Sequence, residues 1–393
     1  MLVTGRTGSS DRREDRPDSS GRPDLSGWPT VTGYRRPSGR IGIRNRLLIL
    51  PSVICSQQVA DRIAEAVPGA VGAPHDHGCG QLGADAAQTE RTFVGVGTNP
   101  NVAGTVVVGL GCETIGSEGV AAALADASAP VRELSIQGIG GTDATIERGI
   151  EIATELRSTV RDDRTSADLG DLTIGIVSSD LRASTIERGE PLVGILVDRI
   201  VDAGGRVLVV DVERLVPHAT EAVGLTTDDE TADDLEATVE QHRTLPPRRT
   251  GTRARARERS FDELSQLWAG RPIREVVSYG GSPTVDAGVV LVDAPGGFAE
   301  AATGLAAAGA HLIVHATADG ISTGHPIVPV VTVTGSEETY EALKSDIDVY
   351  ANGSASTSSP LLETVQRVLD GESTRSERHG LSEFAITRVG PSM

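Results

Sequence analysis

Short apolar runs alternate with amphipathic stretches along most of the chain. Residues 46–52 (RLLILPS) form a nearly continuous apolar run, and residues 57–66 place apolar side chains three and four apart. The first pattern predicts a buried strand and the second a helix. The alternation continues with strand 70–74, helix 84–97, strand 104–110, helix 116–125, strand 131–136 and helix 142–156. Thr142 is the expected N-cap of that last helix, with Asp143 in its positively polarised first turn. The polar stretch 157–171 reads as a linker. Beyond it the pattern predicts strand 172–177, helix 191–203, strand 206–210, helix 231–242, an exposed loop, and helix 261–268. Strands 289–292, 311–315 and 328–333 follow, with an Ala-rich helix at 298–308 and a closing helix at 360–369.

Continuous apolar strands separated by helices belong to parallel sheets covered on both faces. The predicted fold is therefore α/β: two Rossmann-like units with mainly parallel sheets flanked by helices. The first is expected over 31–160 and the second over 170–393. Residues 1–30 mix Arg, Asp, Ser, Gly and Pro without periodicity and are expected to form a disordered tail.

Composition narrows the function classes. Aromatic residues are 3% of the chain, so Val, Leu, Ile and Ala must fill the cores. No apolar run approaches the roughly 20 residues that span a bilayer, and the N-terminus has no signal-like apolar core. A cytoplasmic protein with no membrane partner is expected. The formal net charge is -19 and Lys344 is the single lysine. No basic stripe stands out, which argues against nucleic acid. An acidic, lysine-poor surface also suggests salt adaptation, because molar salt shortens the Debye length to about 3 Å and screens self-repulsion.

The candidate chemistry lies in the loops. Cys55, Cys79 and Cys112 are the chain's three cysteines, and each follows a predicted strand. His75, Asp76, His77 and Glu113 share those loops. Open parallel sheets collect ligands beyond the carboxyl ends of their strands. Thiolate and imidazole suit iron or zinc, and carboxylate suits harder cations. Three cysteines are too few and too odd in number for a disulfide framework. No close-spaced metal motif is present, and a buried cysteine is ordinarily a small hydrophobe, so a packing role stands beside the metal one. Gly138–Asp143 (GIGGTD) opens a helix whose N–H groups can receive a carboxylate or phosphate, although a tight turn explains it equally. His325 lies in a long glycine-punctuated loop, 318–329, of the kind that is often functional.

Several motifs together carry a resemblance. GYRRPSGRIGIRN (33–45), VICS (53–56), HDHGCGQ (75–81), RTFVGVGTNPNVAGTVVVGLGCE (91–113) and IQGIGGTDATIERGI (136–150) occur in the order of the altronate/galactarate dehydratase family. VLVDAPG (290–296), STGHPIVP (322–329), DIDVYANG (346–353) and SEF (382–384) extend the likeness to the C-terminus. The resemblance implies a lyase that removes water from a sugar acid, with a divalent metal, Fe2+ first and Mn2+ as the alternative. It also implies a small SAF-type domain, expected here as a separate subunit, and an oligomeric enzyme. The metal set expected at the strand ends is His75, His77, Cys79, Cys112 and Cys55. His77, His325 and Glu113 are the catalytic candidates. Arg44 and Arg91, within the matched motifs, are candidates for bidentate substrate binding together with Gly140, Gly141 and Thr142.

Two departures stand out. Where the family carries a Cys-Gly-Gly-Ser-Asp turn, this chain reads Ser178-Ser179-Asp180-Leu181-Arg182. The family's Thr-Thr-Gly-Arg-Gly loop is contracted to Ser322-Thr323-Gly324-His325-Pro326. A sulfo-lyase acting on a sulfonated hydroxy acid and a non-catalytic binding paralogue are the rival readings; a nucleotide-binding protein is disfavoured by the missing fingerprint. Thermal melting at low and at molar KCl tests the salt adaptation: the Tm is expected to rise with salt, and equal values would remove the inference.

Overall fold

The computed structural model describes residues 31–244, 251–353 and 360–389. The tail expected over 1–30, and part of the loop expected after residue 242, lie outside the described residues. The chain enters through β1 (Val31–Arg35) and β2 (Ile41–Gly42) and then builds β3 (Arg46–Pro51), β4 (Ala70–Gly72), β5 (Val102–Gly109) and β6 (Val131–Ser135). The last four form a parallel sheet in the order β4-β3-β5-β6. After β7 (Arg164–Ala167) come β8 (Thr173–Ser178), β9 (Arg206–Val209), β10 (Ile273–Ser278), β11 (Gly288–Asp293), β12 (Leu312–Ala316), β13 (Val330–Thr334) and β14 (Val349–Tyr350). These seven strands after β7 make a second parallel sheet, ordered β10-β11-β9-β8-β12-β13-β14. The α/β class with helix-flanked parallel sheets is therefore the observed one.

Period-two alternation assigns each strand residue to a layer. In β3, Leu47 and Ile49 face the helices Gln57–Ala66 and Thr142–Thr159, while Leu48 and Leu50 face Phe93, Val96 and Val120. In the second sheet, Val290 and Val292 of β11 join that same Phe93 cluster, while Val289 and Leu291 pack with Leu196, Val197 and Leu235. The helices Gly83–Gly97, Ser117–Asp126 and Phe298–Ala307 thus form one layer shared by both sheets. The order of layers is helix, sheet, helix, sheet, helix. Small residues permit it: a Cβ on Gly95 would fall 2.7 Å from the Ala307 carbonyl oxygen.

Polar side chains close the seam. Asn99 donates to the carbonyls of Ala306 (2.7 Å) and Ala310 (2.9 Å). Asn101 donates to His311 O at 2.8 Å, and its Oδ1 accepts from the N–H groups of Ile43 and Arg44. Arg44 is buried and clasps Glu377 through Nε (2.9 Å) and Nη2 (2.8 Å), while also reaching the carbonyls of Ile43, Val368 and Glu372. Arg46 bonds the same carboxylate.

The structure corrects several local expectations. The 157–171 linker contains β7, which pairs antiparallel with β1 in a small β2-β1-β7 sheet. Its sequence, Arg-Thr-Ser-Ala, has almost no apolar signal, and its partner is distant in the chain. Thr142 is the first helical residue, because Gly141 at φ 125° takes the N-cap position. The edge strand β10 falls in a stretch for which no strand was expected. Among the described residues no helix is long and apolar enough to cross a membrane.

Burial alone would raise the Glu377 carboxyl, but the bonds from Arg44 outweigh it and hold it below the usual range. Removing Arg44 leaves Arg46 as the arginine still on that carboxylate and breaks the bidentate pair, so Arg44→Met is expected to lose about 3 kcal/mol of unfolding free energy in urea titration, and the double variant with Glu377→Gln to lose less. Because the folded carboxyl is depressed, its contribution is present above the ordinary carboxylate pKa and disappears as pH falls through the lowered one. The stability gap between the wild type and Glu377→Gln is therefore expected to shrink in acid.

Candidate active site

In the first sheet the chain leaves β3 for β4 on one side and returns to β5 on the other. The topological switch point lies between β3 and β5, where loops diverge and leave a crevice. Leu50 is paired with Val107 and Pro51 with Val108, so the loops after both strands emerge at one level.

Glu113 occupies that crevice, half-buried. Its Oε2 accepts from the backbone N–H of Gly111 (2.6 Å) and of Cys112 (2.9 Å), and Oε1 accepts from Ser52 Oγ at 2.9 Å. Gly109 is required beneath it, since a Cβ there would lie 2.5 Å from Glu113 Oε1. Burial pushes the Glu113 carboxyl up, but the backbone and Ser52 bonds outweigh it and hold it below the usual range. At neutral pH it is a carboxylate.

The 75–81 loop folds over the same point. Gly78, at φ 95°, passes so close that a Cβ would meet Ser52 O at 2.1 Å. His75 is buried. Its Nδ1 accepts from the N–H of His77 (3.2 Å), which leaves Nε2–H to donate to Pro51 O at 2.7 Å. Burial pulls its pKa down to about 4. His77 is equally committed: Nε2 bonds Ile386 O at 2.9 Å and Nδ1 bonds Gln81 Nε2 at 2.9 Å. Burial lowers its pKa as well. In this arrangement both ring nitrogens of each histidine are engaged in hydrogen bonds. Cys55, Cys79 and Cys112 are all exposed and unbridged around the rim. Among the described residues, no three His, Cys, Asp or Glu side chains converge where one ion would sit.

The third side of the rim is the turn after β6. Gln137 N donates to Leu110 O at 3.0 Å, which brings Gly140, Gly141 and the N-terminus of helix Thr142–Thr159 alongside the β5 loop. The ideal Cβ positions of Gly140 and Gly141 meet nothing within 4 Å, so the turn is open.

The remaining expected residues are placed elsewhere. Arg44 is saturated by Glu377 and backbone carbonyls, and joins the layers rather than the rim. Arg91 donates through Nε to Tyr279 O at 3.0 Å, tying helix Gly83–Gly97 to the turn at Gly280. His325 is buried; its Nδ1 accepts from Ile327 N at 3.3 Å, and its Nε2 has no hydrogen-bond partner. Burial pulls its pKa to about 3. It lies near the rim through Phe384, whose ring centroid is 5.6 Å from His325 and 6.4 Å from His75. The C-terminal segment continues over the 75–85 loop: Gln88 donates to Thr387 O, Arg388 pairs with Asp76, and Val389 N donates to Asp85.

Ser52, Gln81 and Gln137 shape the rim but were not singled out by sequence, although Gln81 closes the matched HDHGCGQ motif. At the corresponding end of the second sheet, Asp180 accepts from Thr185 Oγ1 (2.8 Å) and Ala318 N (2.7 Å), so the altered Ser178–Arg182 turn is tied down internally.

Comparison with known proteins identifies the family. A family model described as D-galactarate dehydratase/altronate hydrolase, second domain, matches residues 33–161. One described as D-galactarate/altronate dehydratase, C-terminal, matches 266–392. The chain is 25% identical to the (2R)-sulfolactate sulfo-lyase subunit beta of Chromohalobacter salexigens, over 91% of this chain and 96% of that protein. It is 26% identical to the altronate dehydratase of Escherichia coli and also to that of Bacillus subtilis, in each case over 92% of this chain and 78% of the relative. With both domain models matched in order and relatives aligned along nearly its whole length, the chain belongs to the D-galactarate dehydratase/altronate hydrolase family.

Proposed function

We propose that the chain is a hydro-lyase that removes water from a sugar acid, an aldonate or aldarate, to give a 2-keto-3-deoxy acid. The observation that carries this reading is the meeting of the β3, β4, β5 and β6 loops, all within the matched second domain, around one ionised carboxylate. Elimination across C2 and C3 of a 2,3-dihydroxy acid requires a base for the C2 proton and departure of the C3 hydroxyl. The resulting enol ketonises to the 2-keto acid. Glu113 is the proposed acceptor of that proton. Its depressed pKa keeps it charged at neutral pH and also makes it a weak base, so the developing enolate needs stabilisation. The N-terminus of helix Thr142–Thr159 is the proposed binding point of the substrate carboxylate, because its free N–H groups and dipole favour an anion.

Ferrous iron, with Mn2+ as the alternative, remains part of the proposal. The exposed thiols of Cys55, Cys79 and Cys112 and the Glu113 carboxylate are the proposed donors at the rim, although among the described residues no three of them stand together as a formed site; the ring nitrogens of His75 and His77 are engaged in hydrogen bonds. When bound, such an ion supplies Lewis-acid stabilisation of negative charge. A separate small subunit, of the SAF type, is proposed to complete the enzyme. One relative is itself named a subunit, and the altronate dehydratases extend beyond the region this chain matches.

A second reading is favoured by one observation. The chain spans 96% of the sulfo-lyase subunit but 78% of each altronate dehydratase. Sulfo-lyase action on a sulfonated 2-hydroxy acid uses the same C2 deprotonation, with sulfite leaving from C3 in place of hydroxide. Assaying the Fe2+-loaded protein, co-expressed with a small subunit, against a panel of aldonates, aldarates and sulfolactate separates the two: 2-keto acid without sulfite supports the first, equimolar sulfite the second, and neither product from any substrate refutes both. Glu113→Gln is expected to lower kcat by about 10²-fold or more with an unchanged melting curve. Ser52→Ala removes a bond that depresses the Glu113 pKa, so the acid limb of the kcat/KM profile is expected to move to higher pH; an unmoved limb would take Glu113 out of the chemistry.

A further inference from the structure

A cavity of about 470 Å³ opens at the amino end of the first sheet, and the lyase reading makes no use of it. Its wall is apolar at Ala103, Pro130 and Val160, and Arg35, Arg36, Arg161 and Arg164 reach it. A second cavity, of about 330 Å³, shares Arg36, Pro37 and Pro130 with the first and extends the cleft to Arg40. Ala103 lies at the start of β5, whereas the candidate active site lies past its end. The eight residues of that strand put roughly 25 Å between the two.

The chain carries a net charge of -19, yet five of its arginines meet in this cleft. Among the described residues Asp163 is the one carboxylate on its lining. Asp163 pairs with Arg161 at 2.9 Å, and both side chains are largely exposed. Arg35 reaches Gly39 O and Arg40 reaches Thr98 O, each at 3.3 Å, and among the described residues neither meets a carboxylate. Arg164 donates to the carbonyls of Thr32 and Asp370, and Arg36 to Pro100 O, Arg44 O and Asn45 Oδ1. The guanidinium carbons of Arg36 and Arg164 stand 6.0 and 5.6 Å from the Tyr34 ring centroid, so like charges are gathered there.

Helix ends explain part of this. Helices Gly83–Gly97, Ser117–Asp126 and Thr142–Thr159 all finish beside the cleft, and a helix carbonyl end attracts cations. Each such end carries only about half a negative charge, so three ends and Asp163 leave roughly two positive charges over. We propose that the cleft binds a small anion with two separated oxyanion groups, carboxylate or phosphate, one held near Arg35, Arg161 and Arg164 and the other near Arg40. Guanidinium forks bind either oxyanion bidentately, and the apolar wall accepts the body between them. The cleft flanks the β1–β7 pairing through which the chain passes from one sheet to the other, so an occupant braces that junction. None of this depends on the lyase reading.

The test is calorimetric titration of the full chain at low ionic strength, where surface charge is least screened. The probes are fructose 1,6-bisphosphate, adipate and inorganic phosphate. One molecule of the bisphosphate or of adipate is expected per chain with Kd below about 1 mM, and which of the two binds tells phosphate from carboxylate. Inorganic phosphate, with a single oxyanion group, is expected to bind at least about tenfold more weakly. Arg35→Gln and Arg40→Gln are each expected to weaken binding about tenfold, with ligand-free melting curves like the wild type. Glu113→Gln, at the distant rim, is expected to leave the affinity unchanged. Binding by neither long probe, equal binding of inorganic phosphate, or an affinity unmoved by both arginine variants overturns the proposal. Loss of binding in Glu113→Gln overturns it as well, by placing the anion at the rim.

Discussion

The constraint on which this architecture depends is the satisfaction of polar groups trapped where two sheets share one layer of helices. Helix Gly83–Gly97 approaches helix Phe298–Ala307 closely enough that Gly95 has no room for a side chain against Ala307. The backbone carbonyls of Ala310 and His311, just past the end of the second helix, face this seam. Asn99 and Asn101 answer them, and Asn101 also receives the N–H groups of Ile43 and Arg44. A buried unpaired amide costs about 1–3 kcal/mol, so the Asn-Pro-Asn sequence is a structural requirement of the seam.

That seam fixes the rim. Because the middle layer holds the two sheets at one separation, the C-terminal segment can cross from the 322–329 loop to the 75–85 loop. Phe384 lies between His75 and His325, and Ile386 receives the Nε2 of His77. Loss of water lowers the pKa of the buried His75 and His77 and favours their neutral form, and both rings are fixed by hydrogen bonds. They shape the loop that presents Cys79, while the exposed groups at its edge are left for chemistry.

The electrostatics of the rim follow from backbone geometry more than from charged neighbours. Glu113 is kept ionised by N–H groups of its own loop and by one serine hydroxyl. At the far seam the opposite device is used, with a buried arginine setting the state of Glu377. The first leaves a carboxylate facing solvent and the second seals one inside.

The sequence alone determined the layers. Nearly continuous apolar runs such as 46–51 and 102–109 require cover on both faces, and the three-and-four spacing of 57–66 supplies part of it; these are local properties that survive without knowledge of partners. It also placed the cysteines and Glu113 at strand ends, since a strand end is a local feature. It could not assign Arg44, Arg91, His75 or His77, because whether a polar side chain faces a ligand or a stranded carbonyl depends on groups hundreds of residues away, such as Glu377 and Ile386. For the same reason β7 was invisible: a polar four-residue strand acquires its structure only from β1 beside it. Tertiary packing alone decided which polar residues were consumed in holding the sheets together and which remained at the rim.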